Sequence, residues 1–243
     1  MKINRLMLGM LALTMMSVSC SKQSDGGVSF SLDTDLGVLE QTRSNVSDYT
    51  TLPSAGDFTI VLTGSDGNEI YNGLLSAYSE STSLKAGNYS VKASYGSVSD
   101  EGFDKPCFTG EKTFSITGGG TTAVTIPVSL ANTIVKVSCT DLFKTYYTAY
   151  SFTLTTGAGT KIEFPQDETR AAFVDAYTIS VSGTLTNQGG KTQTFTKDYK
   201  TSLSSKTCYT LKFDVSNVGG GKVTIKFDDT VDDVELSDVE LND

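Results

Sequence analysis

The chain has 243 residues, with 28 acidic and 19 basic side chains for a net charge of −9, and it contains neither His nor Trp. Without imidazole there is no His-dependent triad and no His-ligated metal. With no basic stripe to neutralise phosphates, nucleic acid is not an expected partner.

Residues 1–19 read as a lipoprotein signal peptide. Lys2 and Arg5 form a positive n-region, and Leu6 to Met16 is an eleven-residue apolar run broken only by Gly9 and Thr14. That run is shorter than the ~20 residues a membrane span requires. Ser17-Val18-Ser19-Cys20 follows with the small residues of a bacterial lipobox, although Ser17 stands where Leu is usual. Cys20 is therefore the expected lipidation site and outer-membrane lipid the expected partner there. Each buried CH₂ contributes about 0.8 kcal/mol, so three acyl chains anchor almost irreversibly. The alternative is ordinary signal cleavage with Cys20 left as a thiol.

Residues 20–50 read as a tether with a possible first strand. Ser21 to Gly27 is small and polar, and Val28-Ser29-Phe30-Ser31-Leu32 then alternates, with Phe30 and Leu32 on one face. Asp33-Thr34-Asp35-Leu36-Gly37 lacks the third ligand of a calcium loop, so no metal is expected there. Thr42-Arg43-Ser44 lies in a polar stretch where nicking is easy.

Residues 51–140 read as a first β-sandwich domain. Phe58, Ile60 and Leu62 share a face, as do Tyr89, Val91, Ala93 and Tyr95, then Val124, Ile126, Val128 and Leu130, then Val135, Val137 and Cys139. Alternation of this kind marks half-buried strands, and Gly-rich turns such as Gly118-Gly119-Gly120 punctuate them. Leu142, Phe143, Tyr146, Tyr147 and Tyr150 then fall at steps of three and four, which places one short helix at the junction.

Residues 141–243 repeat the pattern as a second sandwich. Phe152-Thr153-Leu154 echoes Phe58-Thr59-Ile60, and Tyr177 to Val181 echoes Tyr89 to Ala93, at offsets of 94 and 88 residues. Tyr209, Leu211, Phe213 and Val215, then Val223, Ile225 and Phe227, close it. Residues 228–243 carry eight acids and no base. Val234 and Leu236 share one face, as do Val239 and Leu241, with acids at most positions between, which predicts a C-terminal strand over Val231 to Leu241 rather than a frayed tail. It either pairs within its own sandwich or is donated to a neighbour.

Chemistry is sparse. Cys107, Cys139 and Cys208 have no C-x-x-C spacing, and the parity of their strands points Cys139 inward and Cys208 outward, so structural thiols are expected. Glu163, Asp167, Glu168 and Asp175 surround a Pro-containing loop and read as solvated carboxylates rather than a glycosidase pair. Tyr146, Tyr147 and Tyr150 are candidates for an aromatic platform under a sugar ring, or for packing between the sandwiches. Asp229-Thr230-Val231 resembles a short O-glycosylation motif of exported Bacteroidetes proteins, which makes Thr230 a candidate. No catalytic residue and no cofactor are expected.

Several segments taken in order resemble the fimbrillin-like surface lipoproteins of the Bacteroidetes. They are Asp57-Phe58-Thr59-Ile60 with Ser65-Asp66-Gly67, Leu84 to Ala93, Lys105-Pro106-Cys107-Phe108-Thr109-Gly110 with Phe114, Leu130 to Val137, and Leu142 to Tyr150. Cys107 stands where that family carries an aromatic residue. The resemblance implies an all-β protein of two tandem transthyretin-like or immunoglobulin-like β-sandwiches. It also implies a surface lipoprotein with a role in adhesion or fimbria-like assembly, whose partners are other fimbrillin-like subunits. The alternative is a glycan-binding lipoprotein of a polysaccharide uptake system. In assembling members an arginine-specific protease cuts after an N-terminal Arg, and removal of that strand opens a groove for the next subunit. Arg43 is the sole Arg between Cys20 and Arg170, so this carry-over falls on it.

Overall fold

The computed structural model describes residues 25–34, 44–215, 222–227 and 230–235. Its strands in chain order begin with β1 (Gly27–Thr34), β2 (Thr59–Gly64), β3 (Glu69–Leu74) and β4 (Gly87–Tyr95). They continue with β5 (Gly102–Phe103), β6 (Phe108–Ile116), β7 (Thr121–Leu130) and β8 (Thr133–Cys139). After helix α1 (Asp141–Tyr146) come β9 (Tyr147–Thr156), β10 (Lys161–Pro165), β11 (Ala172–Val174) and β12 (Ile179–Asn187). The last are β13 (Thr192–Tyr199), β14 (Cys208–Val215), β15 (Lys222–Phe227) and β16 (Thr230–Glu235). The protein is all-β and sandwich-like, as the alternation predicts. Among the described residues three sheets form, in the orders β1-β7-β6-β4-β2-β3, β10-β9-β12-β13 and β16-β15-β14-β8-β11-β5.

The apolar positions of each strand go inside. Ile60 and Leu62 are buried on β2, Val124, Ile126, Val128 and Leu130 on β7, and Tyr209, Leu211, Phe213 and Val215 on β14. The first core gathers the inner face of the first sheet. β7 pairs with β6 over only a short stretch. The two strands pair only from Phe108↔Leu130 to Gly110↔Val128. At that point Gly110 approaches the Pro127 carbonyl so closely that a Cβ would collide with it. Pro127 also has no N–H to give to a ladder. On its other edge β7 runs parallel to β1, from Gly27↔Thr121 to Thr34↔Val128. There Phe30 of β1 meets Tyr78 and Phe114 edge-on, with centroids 4.9 and 5.9 Å apart.

The second core lies between the second and third sheets. Phe152 stacks on Phe213 at 3.9 Å, with Phe143 and Phe195 beside them. The opposite face of the third sheet contributes Ile134, Phe173 and Cys208 to the first core. The third sheet is thus shared. Its strand β8, from residues 51–140, pairs parallel with β14 and antiparallel with β11, both from residues 141–243.

Two details differ from the sequence reading, and a third agrees with it. The helix is shorter than its spacing predicts: Thr140 Oγ1 caps it by accepting from Phe143 N at 3.2 Å, and the chain is already extended at Tyr147. From Tyr150 onward the apolar residues alternate by two, so strand pairing with β12 wins over another helical turn. Cys208 faces away from its own core, as its parity requires, yet it is buried against the first core. Parity within one strand carries no information about a second layer. Finally, the acidic end forms β16, antiparallel to β15 at the edge of the third sheet, for residues 230–235. Leu236 and the rest of the acidic end lie outside the described residues.

Candidate interaction surfaces

β1 is an edge strand that arrives from the N-terminal side of the chain. Eight residue pairs tie it to β7. Its start is stitched down by Gly26, which exchanges two 2.8 Å backbone hydrogen bonds with Leu84, and by Gly27 N donating to Gly120 O at 3.0 Å. Asp25 Oδ2 accepts from Ser83 Oγ at 3.1 Å. Val28 is fully buried, while Phe30 and Leu32 are half-buried against the first core. Past Arg43, Val46 is buried in that same core, behind a turn in which Asn45 N donates to Asp48 Oδ2 at 2.9 Å. Two anchors, Val28 before and Val46 after, therefore bracket the segment that holds Arg43.

Cys20 and Arg43 lie outside the described residues. Thr230 is the first residue of β16. Tyr146 and Tyr147 are buried and their rings meet edge-on at 4.8 Å. Tyr150 is half-buried, edge-on to Phe143 at 5.2 Å. Burial pushes the Tyr147 hydroxyl up to about 12, with the neighbouring Tyr146 adding to it and a hydrogen bond from Gln193 opposing it. These three rings pack into the second core and leave no continuous aromatic face to solvent.

Glu163 and Glu168 accept side-chain hydrogen bonds. Glu163 accepts from Thr153 Oγ1 at 2.9 Å. Glu168 takes a two-point contact from Arg170, at 3.1 and 2.9 Å, and that guanidinium holds its carboxyl well below the usual range. Arg170 also reaches Asp104 at 3.1 Å and lies over the Phe103 ring at 4.5 Å. Among the described residues no cluster of three metal-ligating side chains occurs, and no helix is long and apolar enough to cross a membrane. The three thiols are unpaired with one another. Burial raises all of them, Cys139 to about 11, which makes them poor nucleophiles.

Sequence reasoning missed one feature. Tyr89 and Phe114 face each other across β4 and β6 and stack at 5.7 Å with 22° between the rings, packed against the first core on the face that carries Val91 and Ala93. The pair is set by register between strands 25 residues apart, so no local spacing announces it.

Residues 24–243 match the family described as a domain of unknown function, DUF4493. No curated protein matches the chain. Among solved structures it is similar to a candidate polysaccharide binding protein (DUF1812) from Bacteroides thetaiotaomicron, at 11% identity over 87% of this chain and 98% of that one, TM-score 0.44. A candidate cell adhesion protein from Bacteroides eggerthii shares 11% identity over 88% and 96%, TM-score 0.45. The fimbrial anchor protein Mfa2 from Porphyromonas gingivalis shares 11% over 85% and 98%, TM-score 0.41. These are loose likenesses, and what those proteins bind or assemble is a statement about them alone.

Proposed function

We propose, for this chain that belongs to the DUF4493 family over residues 24–243, the role of a non-enzymatic, lipid-anchored cell-surface adhesin or fimbria-associated subunit. The observation that carries the reading is β1. It is an edge strand, it completes the first core, and it lies between Cys20 and Arg43 in sequence. The eight residues from Cys20 to Val28 span at most ~28 Å, so a lipid on Cys20 would hold the first sheet close to the membrane surface.

The order of these features gives Arg43 its meaning. A cut there leaves β1 on the lipidated fragment and Val46 on the body. Ladder hydrogen bonds and the side chains of Val28, Phe30 and Leu32 then hold the two pieces together without a covalent link. Departure of β1 uncovers the Thr121–Val128 edge of β7, which a strand from another subunit can occupy by main-chain pairing. Uncut, the chain stays anchored with that edge closed.

Mature protein treated with a low dose of an arginine-specific protease is expected to yield a body beginning at Ser44. Arg170 should be cut later, because its guanidinium is held by Glu168, Asp104 and the Phe103 ring. Native mass spectrometry should then show the cut body associating. A first cut at Arg170, or a cut body that stays monomeric after losing β1, would count against assembly. Cys20→Ala should free the protein from membranes, and membrane partition of a mature-sized variant would sink the anchor.

A further inference from the structure

We infer that the open edge of β13 is a surface for a second copy of this chain: two copies pair there antiparallel, about a two-fold axis, so that their second sheets join into one. This surface uses neither β1 nor Arg43 and stands apart from the strand exchange proposed above. β13 ends the second sheet, and among the described residues it pairs with β12 alone, at eight consecutive positions without a register shift. Across the turn before it, Asn187 N donates to Lys191 O at 3.0 Å. Residues 193, 195, 197 and 199 therefore turn their main-chain groups towards β12, and Thr192, Thr194, Thr196 and Asp198 turn theirs to the open edge. Such a row is a template for another strand unless something blunts it. Most of the other edges are blunted. β3 has a register shift opposite Leu62 and Thr63, and its Leu74 carbonyl accepts from the Tyr71 hydroxyl at 2.7 Å. β10 carries Lys161, Glu163 and Pro165, β5 has two residues, and β16 carries Asp232, Asp233 and Glu235. β1 is the strand proposed above to leave.

The side chains of β13 make the strand complementary to itself. Thr192, Thr194 and Thr196 are exposed, and their β-branched side chains suit a strand. With the two-fold axis at Phe195, Thr194 stands opposite Thr196 of the second copy, and Thr192 stands opposite its Asp198. Each such pair exchanges both main-chain hydrogen bonds, and the threonines pair side by side on the outer face. On the inner face Gln193 stands opposite Lys197 of the second copy. No charge meets its like. The two Asp198 carboxylates lie six positions apart along the seam, about 20 Å, which is beyond the ~8 Å Debye length at physiological salt. The charges also fix the register. A slip of two residues moves the axis to Thr194 or to Thr196. At Thr194 it sets Lys197 against Lys191 of the second copy, and at Thr196 it brings the two Lys197 within two positions, about 7 Å, of each other. The seam is short, so it belongs with the weak, concentration-dependent interfaces that bury less than ~1,200 Å².

The test uses the mature protein, uncut at Arg43. Sedimentation and amide hydrogen exchange are followed from about 10 μM to about 1 mM, a span that captures weak pairing. The protein should pass from monomer to dimer as concentration rises. The amides of Thr192, Thr194, Thr196 and Asp198 should gain protection over the same range, while those of Gln193, Phe195 and Lys197, which face β12, keep theirs. A chain carrying both Thr194→Lys and Thr196→Lys, two exposed changes, sets lysine opposite lysine twice in the dimer and should weaken it about tenfold. A chain carrying Thr194→Glu and Thr196→Glu should be weakened likewise, and an equimolar mixture of the two should pair again. A protein still monomeric at 1 mM, a dimer that protects a different strand, or a dimer unmoved by the lysine changes would each overturn the proposal. So would full protection of the four outward amides in the monomer, which would put residues of the same chain on this edge. None of these outcomes bears on whether the body cut at Arg43 assembles.

Discussion

In the second core Phe152 and Phe213 stack at 3.9 Å, and both walls come from residues 133 onward, with Phe103 packed at the margin. In the first core one wall is β1, which enters from upstream of Arg43, and part of another is the back of the third sheet, through Ile134, Phe173 and Cys208. The second core is closed by its own strands. The first is closed partly by borrowed ones, one of them held at an edge. A core completed by an edge strand can release that strand without unfolding the rest, because a single ladder and a few side chains hold it in place.

The largest test of this asymmetry is Phe213→Ala. Removing a fully buried Phe should cost about 3–5 kcal/mol. Because the third sheet serves both cores, urea unfolding should remain one transition at lower midpoint. A first core that keeps its own unchanged transition would show the two to be independent. Val28→Asp is the complementary change. It places an unpaired carboxylate where Val28 is fully buried, so β1 should detach at a local cost of about 2–4 kcal/mol. Hydrogen exchange should then show lost protection along Thr121–Val128, with β12 and β14 unaffected. Lost protection in β14 as well would mean that β1 is no separable closure.

Smaller still is Asn132→Ala at the joint. Asn132 is fully buried, accepts from Cys107 N at 3.2 Å and donates to Lys105 O at 2.9 Å. Its backbone carbonyl accepts from Lys206 N at 3.0 Å, and Thr133 Oγ1 donates to Ser204 O at 2.8 Å. Leaving the Cys107 and Lys105 groups unpaired should cost about 1–3 kcal/mol. If thermal unfolding of the variant matches the parent, the joint is not what couples the cores.

Much of the architecture was legible because burial repeats at period two, and Val124 to Leu130 or Tyr209 to Val215 can be read directly. The possible first strand at Val28 to Leu32 was also visible as alternation. Its parallel partner was not, since pairing with β7 joins positions 94 residues apart. The same limit hid the Tyr89–Phe114 pair and the covering of Cys208. The tyrosines Tyr146, Tyr147 and Tyr150 show the reverse error: helical spacing was present locally, but pairing with β12 claims the last two for a strand.

The finest test is alkaline. Cys139 and Tyr147 belong to the second core, where burial raises the thiol from 9.0 to about 11 and the phenol from 10.0 to about 12. Lys144 and a hydrogen bond with Tyr150 pull the thiol the other way, but desolvation exceeds both. Between pH 9 and 11 an unfolded chain has released the Cys139 proton while the folded chain keeps it. The stability linked to this proton is therefore full below pH 9 and declines as pH rises towards 11, and that linked to Tyr147 declines from pH 10 towards 12. The first core holds Tyr49, Tyr78 and Cys208, also raised by burial but by less. Alkaline titration should consequently loosen the second core before β1 leaves the first. Cys139→Ala should delay the onset of that loss by about one pH unit, from near 9 to near 10, where Tyr147 takes over. An unchanged onset in the variant would mean that Cys139 is as well solvated when folded as when unfolded. Loss of β1 protection ahead of β12 would place the weaker closure under alkali at the edge strand and reverse the contrast between the two cores.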